Sequence, residues 1–176
     1  FLRAFQPHKL TLGNHDHRLW LLARSERDGL EVDYARQLVS QFENEFKAMK
    51  TDWVEYDIRK GWIEIAPKGS TSGRKLISHG YFSNMYPAKS MTQAAGASTL
   101  SGHTHAFDYW RQNNLAGDES YVSGCGCKIA QEYNRTHARR LKHDHSFLAG
   151  SLNDKTGNWI IYVIRKDEET NTWLDP

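Results

Sequence analysis

Three polar motifs in this chain each stand directly after a stretch that reads as a strand: Gly13-Asn14-His15-Asp16, Ser78-His79-Gly80 and Gly102-His103-Thr104-His105. Loops at strand ends are where a rigid scaffold holds ligands and catalysts. The motifs therefore tie a strand-containing fold to a particular kind of chemistry.

The rest of the chain supplies elements to match. Residues 9–13 alternate Leu10 and Leu12 with polar neighbours, the period of a strand. Over 30–49, Val32, Leu38, Phe42, Phe46 and Met49 recur at helical spacing with charges between them, which predicts an amphipathic helix of structural role. Strands are expected over 53–56, 62–66, 75–79 and 98–102, separated by Gly- and Ser-rich turns such as 69–73. Shorter helical patterns fall at 87–95 and 130–141, and the chain closes in a hairpin of 147–152 and 159–164 around the turn 153–157. With 176 residues, 39% of them apolar, and no repeat or Pro-rich linker, a single domain over 1–176 is expected.

The residue types in the motifs point to metal chemistry. On an extended segment His103 and His105, flanking Thr104, place both imidazoles on one side, within reach of one ion or two neighbouring ions. A His-x-His pair alone equally suits histidines satisfied near a surface, but Asn14 adds an amide oxygen and His79 a third imidazole. That set suits divalent first-row ions such as manganese, iron or zinc. His15, beside Asn14, is placed to move a proton, with Asp16 to orient its ring.

Taken in order, Gly-Asn-His-Asp, His-Gly and Gly-His-Thr-His resemble the last three signature blocks of the calcineurin-like metallophosphoesterases. A given tetrapeptide occurs by chance on the order of once per hundred thousand positions, so the ordered set is specific. The resemblance continues more faintly through Gly124-Cys125-Gly126-Cys127 and the closing hairpin, in the manner of bacteriophage-type members, and so spans most of the chain. It implies an α+β fold, an α/β/β/α sandwich of two sheets flanked by helices, with two divalent ions, manganese favoured over iron or zinc, at the strand ends. It further implies that Asn14, His79 and His103 bind one ion, that His105 binds the other, and that His15 protonates the leaving group. Arg18 matches an Arg that follows the first block and touches substrate phosphate, although a salt bridge explains it equally well.

The family pattern also begins with Asp-x-His and Gly-Asp-x-x-Asp, and neither block precedes Asn14. Gly117-Asp118-Glu119-Ser120-Tyr121 is the nearest match and lacks the last Asp, so Asp118 reads as a turn residue. The expectation is an N-terminally truncated domain without its first strands, whose missing ligands come from an upstream segment or a second chain. The implied reaction is metal-dependent hydrolysis of a phosphate ester, with monoesters, nucleotides, phosphoproteins and DNA all open as substrates. The alternatives are a DNA nuclease, or a non-catalytic fragment or subunit kept for binding or assembly.

Composition narrows the setting. Lys and Arg exceed Asp and Glu by 23 − 21 = 2, too few to require nucleic acid or a membrane surface. No apolar run approaches the roughly 20 residues that cross a bilayer, so a cytoplasmic protein, in a phage-infected host if the resemblance holds, is expected. Cys125 and Cys127 are too close for an unstrained disulfide and read as reduced thiols, either core thiols or part of a zinc knuckle. The basic stretch 135–145 reads as a solvated face or a hold on a polyanion. Trp53, Trp62, Trp110, Trp159 and Trp173 read as packing residues, with Tyr109 and Trp110 near the site.

Overall fold

The computed structural model describes residues 2–66, 72–113, 115, 117–127, 129 and 143–174. The helix expected over 130–141, most of the basic stretch 135–145 and part of the turn 69–73 lie outside them. The chain is a mixed α+β protein that divides into two compact units, Phe1–Ile63 and Glu64–Pro176.

The first unit contains α1 (Leu2–Phe5), β1 (Lys9–Thr11), α2 (Asn14–Ala23), α3 (Leu30–Met49) and β2 (Asp52–Val54). β1 and β2 are parallel, with Leu10 opposite Trp53, and parallel neighbours need a long crossover, which α2 and α3 provide. α3 follows the predicted helix end to end. Glu31 and Asp33 lie in its first turn, Val32, Ala35 and Phe46 are buried on its inner face, and Lys50 closes it in the left-handed conformation. Its inner face meets an aromatic core: Leu12, Trp20 and Phe46 are each 3% exposed, with Leu10, Val39 and Trp53 packed around them. α2 was not expected, because the polar Asn14-His15-Asp16 reads as a loop. Its first turn is polar because it faces outward, and Trp20, one turn on, anchors it in the core.

The second unit is built on a five-stranded sheet in the order β3 (Ile63–Glu64), β4 (Lys75–Ile77), β5 (Ser98–Ser101), β7 (Glu119–Val122) and β6 (Asp108–Arg111). The division between the units falls within the short β3. β4, β5 and β7 run parallel, and β6 is antiparallel to β7. α4 (Pro87–Ala95) crosses from β4 to β5, with Pro87 at its start and Ala88, Met91 and Thr92 buried against the sheet. β8 (Ser146–Leu152), β9 (Trp159–Asp167) and β10 (Thr172–Leu174) form a separate antiparallel sheet in the order β10-β9-β8.

Alternation along the strands assigns the faces. Ile77, Leu100 and Ile65 line an apolar cleft of about 190 Å³ together with Leu148, Trp159 and Ile161 of the second sheet. Trp159 anchors that contact: its indole Nε1 donates to Glu119 at 2.6 Å, and the Lys75 ammonium lies 5.1 Å above its ring. On the other face Leu76, Thr99, Ser101, Ser120 and Val122 are buried. The unit is thus layered as helix, sheet and sheet.

Candidate metal centre

Because β4, β5 and β7 are adjacent and parallel, their carboxyl ends open onto one edge of the sheet, the usual place for a ligand in such a sheet. β4 runs into Ser78-His79-Gly80, β5 into Gly102-His103-Thr104-His105, and β7 into Ser123-Gly124-Cys125-Gly126-Cys127. Backbone bonds carry the ladder past the strands. The Ser78 N–H donates to Leu100 at 3.1 Å, Gly102 to His79 at 2.9 Å and Ser123 to Ser101 at 2.7 Å. The loops begin in fixed register.

Gly80 brings the first two loops together. Its φ of +104° favours glycine, and a Cβ there would lie 2.8 Å from the Gly102 carbonyl oxygen and 2.9 Å from the His103 Cβ. The result is that His79 Nε2 and His103 Nδ1 stand 3.3 Å apart, with ring centroids at 5.2 Å. Two nitrogens bound to one tetrahedral ion at the usual bond length are also about 3.3 Å apart. The pair has the spacing of two ligands on a shared metal.

The segment that carries His103 and His105 is not extended. Both are in the left-handed region, at φ +81° and +59°, uncommon for a side-chain-bearing residue and concentrated at functional sites. The turn sends the imidazoles to different neighbours. His105 lies edge-to-face with His143 at 5.1 Å, and its ligand nitrogen and the sulfurs of Cys125 and Cys127 all lie within 4.8 Å of one another.

Asp144 holds this second cluster. Its N–H donates to the His105 carbonyl and its own carbonyl accepts from Cys125, both at 2.9 Å. Its carboxylate accepts from the Phe107 N–H at 2.9 Å, Ser146 Oγ at 2.8 Å and Arg165 at 3.3 Å. Gly124 permits the approach, since a Cβ there would collide with Asp144 and Ser146. Neither cysteine is in a disulfide; Cys125 is buried and Cys127 exposed. Burial, reinforced by Cys127, pushes the Cys125 thiol up to about 11.

No family model matches this chain, and no curated protein and no solved structure matches it.

Asn14, His15, Asp16 and Arg18 belong to the first unit. They form the opening turn of α2, capped by Gly13, with Asn14 half-buried and the other three exposed. The Asp16 carboxylate accepts the Gly13 N–H at 2.8 Å, the part of a capping residue. Successive side chains on a helix do not face each other, so Asp16 serves the helix rather than the His15 ring. Adjacent Tyr109 and Trp110 are surface residues of β6, the latter beneath the Lys89 ammonium at 5.1 Å.

His79, His103 and His105 stand at strand ends legible in the sequence, whereas nothing in the sequence alone brings the cysteines to His105. β7 was not recognised as a strand, so nothing placed Gly124-Cys125-Gly126-Cys127 beside β5. The available signal was the repeated pattern itself: a short strand-like run, then glycine, then histidine or cysteine, as after β5. Among the described residues no helix is long and apolar enough to cross a membrane.

Proposed function

We propose that this chain carries part of the centre of a metallophosphoesterase of the calcineurin-like type, hydrolysing phosphate esters with divalent metal. The observation that carries the reading is the 3.3 Å spacing of His79 Nε2 and His103 Nδ1 at the ends of adjacent parallel strands. The layering of α4, five-stranded sheet and three-stranded sheet supports the α/β/β/α sandwich the reading uses. Substrates range from phosphomonoesters and nucleotides to nucleic acid, and two cysteines outside any disulfide suit a reducing compartment such as the cytoplasm.

In this reading His79 and His103 hold one ion, and His105 contributes to a second. Bound ions would supply charge neutralisation on the phosphoryl oxygens and activation of water. His15, exposed on α2, gives its proton to the departing ester oxygen. Arg18, exposed on the same helix, offers a cation to the phosphate.

A second reading, a metal-binding unit without catalysis, is favoured by one observation. Two close cations need a carboxylate between them, since without one they repel one another. Asp144, beside His105, has its carboxylate engaged by Phe107, Ser146 and Arg165.

The deciding experiment equilibrates the chain with manganese, removes free ion by dialysis, counts ions per chain and assays release of p-nitrophenol from a mono- and a diester. Metal-dependent release that is lost in His103→Ala together with an ion, and lost in His15→Ala with the ions retained, is the expected result. No turnover with ions bound selects the binding unit. Full activity in His15→Ala removes the proton-donor role.

A further inference from the structure

We propose that His105, Cys125 and Cys127 form a zinc site, one imidazole and two thiolates, distinct in chemistry from the His79/His103 pair. The inference shares His105 with the phosphoesterase reading and otherwise stands without it. A thiolate site here binds zinc whether or not the chain turns over a phosphate ester.

The geometry is close to that of a bound site. The His105 ligand nitrogen and the two sulfurs lie within 4.8 Å of one another. Around a tetrahedral zinc with ordinary bond lengths such atoms are about 3.5–3.8 Å apart, so closure needs a shift of about 1 Å. Side-chain torsions can supply it, because the chain is open between the thiols: a Cβ at Gly126 would meet nothing within 4 Å. Exposed Cys127 leaves the ion a path in, while buried Cys125 fixes the inner side.

The framework around the three ligands is already built. One residue, Asp144, ties the His105 loop and the Cys125 loop together backbone to backbone, and Gly124 is the residue that lets them approach. The Cys127 carbonyl lies 2.8 Å from His145 Nε2, which holds the end of the thiol loop. His143, just before Asp144, packs its ring on His105 and is in place to orient that imidazole or to take the fourth position.

The donor set selects the metal. Two thiolates cancel the charge of a divalent ion, and their softness favours zinc over manganese, which prefers oxygen. The sheet edge then presents two unlike sites: an all-nitrogen pair at His79/His103 and a sulfur-rich set one loop away.

The test titrates the metal-free, reduced chain with cobalt as a probe for zinc. Expected are the near-ultraviolet thiolate-to-cobalt charge-transfer band, its displacement by zinc, and zinc protection of both cysteines from iodoacetamide. The band disappears in Cys127→Ser, whose exposed position spares the fold, and in Cys125→Ser, while circular dichroism reports whether each variant is folded. It persists in His79→Ala and His103→Ala. Absence of a charge-transfer band in the wild type, a band unchanged in Cys127→Ser, or alkylation of Cys125 that zinc does not slow overturns the site. If the band is present and ester hydrolysis is absent, the phosphoesterase reading alone fails.

Discussion

In the first unit the buried centre is aromatic: Trp20 packs on Trp53 at 5.6 Å and on Phe42 at 6.0 Å, and Phe46 lies 6.2 Å from both Phe42 and Trp53. In the second, the fully buried centre of the five-stranded sheet is largely hydroxyl: Ser98, Thr99 and Ser120 are 0% exposed and Thr92 of α4 is 1% exposed. The difference separates two tasks. Large rings bury much apolar area and supply free energy, whereas small hydroxyl residues let a helix sit close on strands and bond the layer together. The histidine and cysteine loops grow from the second kind of platform, where positional precision matters more than buried area.

The largest effect expected from this contrast is in the aromatic core. Phe46→Ala should cost about 3–5 kcal/mol, the usual loss for a buried ring replaced by a methyl, read as a shift in the urea midpoint followed by tryptophan fluorescence. A loss below about 1 kcal/mol would mean that the rings are not the source of stability and would dissolve the contrast.

On the platform, the expected damage is to geometry. Gly80→Ala forces a side chain onto a backbone at φ +104° and against Gly102 and His103, costing about 1–3 kcal/mol. It should also weaken manganese binding by the His79/His103 pair, measured by calorimetry, while the thiolate-to-cobalt band at Cys125 and Cys127 survives. Loss of both together would show that the two clusters are one site.

The two regions were also unequally legible in sequence. α3 and α4 were read end to end because long apolar periodicity and a Pro at the helix start are strong local signals, and the β8–β9 hairpin was read from its β-branched run and its turn. α2 was missed because its first turn is polar and its anchor, Trp20, is a single buried residue. β7 was missed because Ser120 is a buried strand residue without apolar character, and periodicity cannot mark a hydroxyl core. That failure hid the proximity of Cys125 and Cys127 to His105, a long-range fact set by the order β5-β7. Strand ends located the histidines; only the turn at positive φ decided which partners each one meets.

The hydroxyl layer itself can be tested by a cycle. Thr99 Oγ1 and Ser120 Oγ bond each other in the buried layer beneath α4. Removing one member by Thr99→Val or Ser120→Ala leaves the other buried without its partner and should cost about 1–3 kcal/mol, while the double variant should cost clearly less than the sum. Additive losses would mean that the hydroxyls act as fillers, not as a bond.

The smallest effect belongs to surface charge in the first unit, where Arg24 meets Glu55 at 2.6 Å with both side chains about half exposed. The hydrogen bond from Arg24, aided by its charge and opposed by burial, holds the Glu55 carboxyl below the usual carboxylate range. A lowered carboxyl contributes stability above its unfolded value and loses it as pH falls through the folded one. Arg24→Ala should therefore cost only about 0.2–1 kcal/mol near neutral pH, and its difference from wild type should shrink as the medium is acidified through the carboxylate range. A difference that stays constant in acid would assign the loss to packing of the arginine stem, extending the apolar character of the first unit out to its surface.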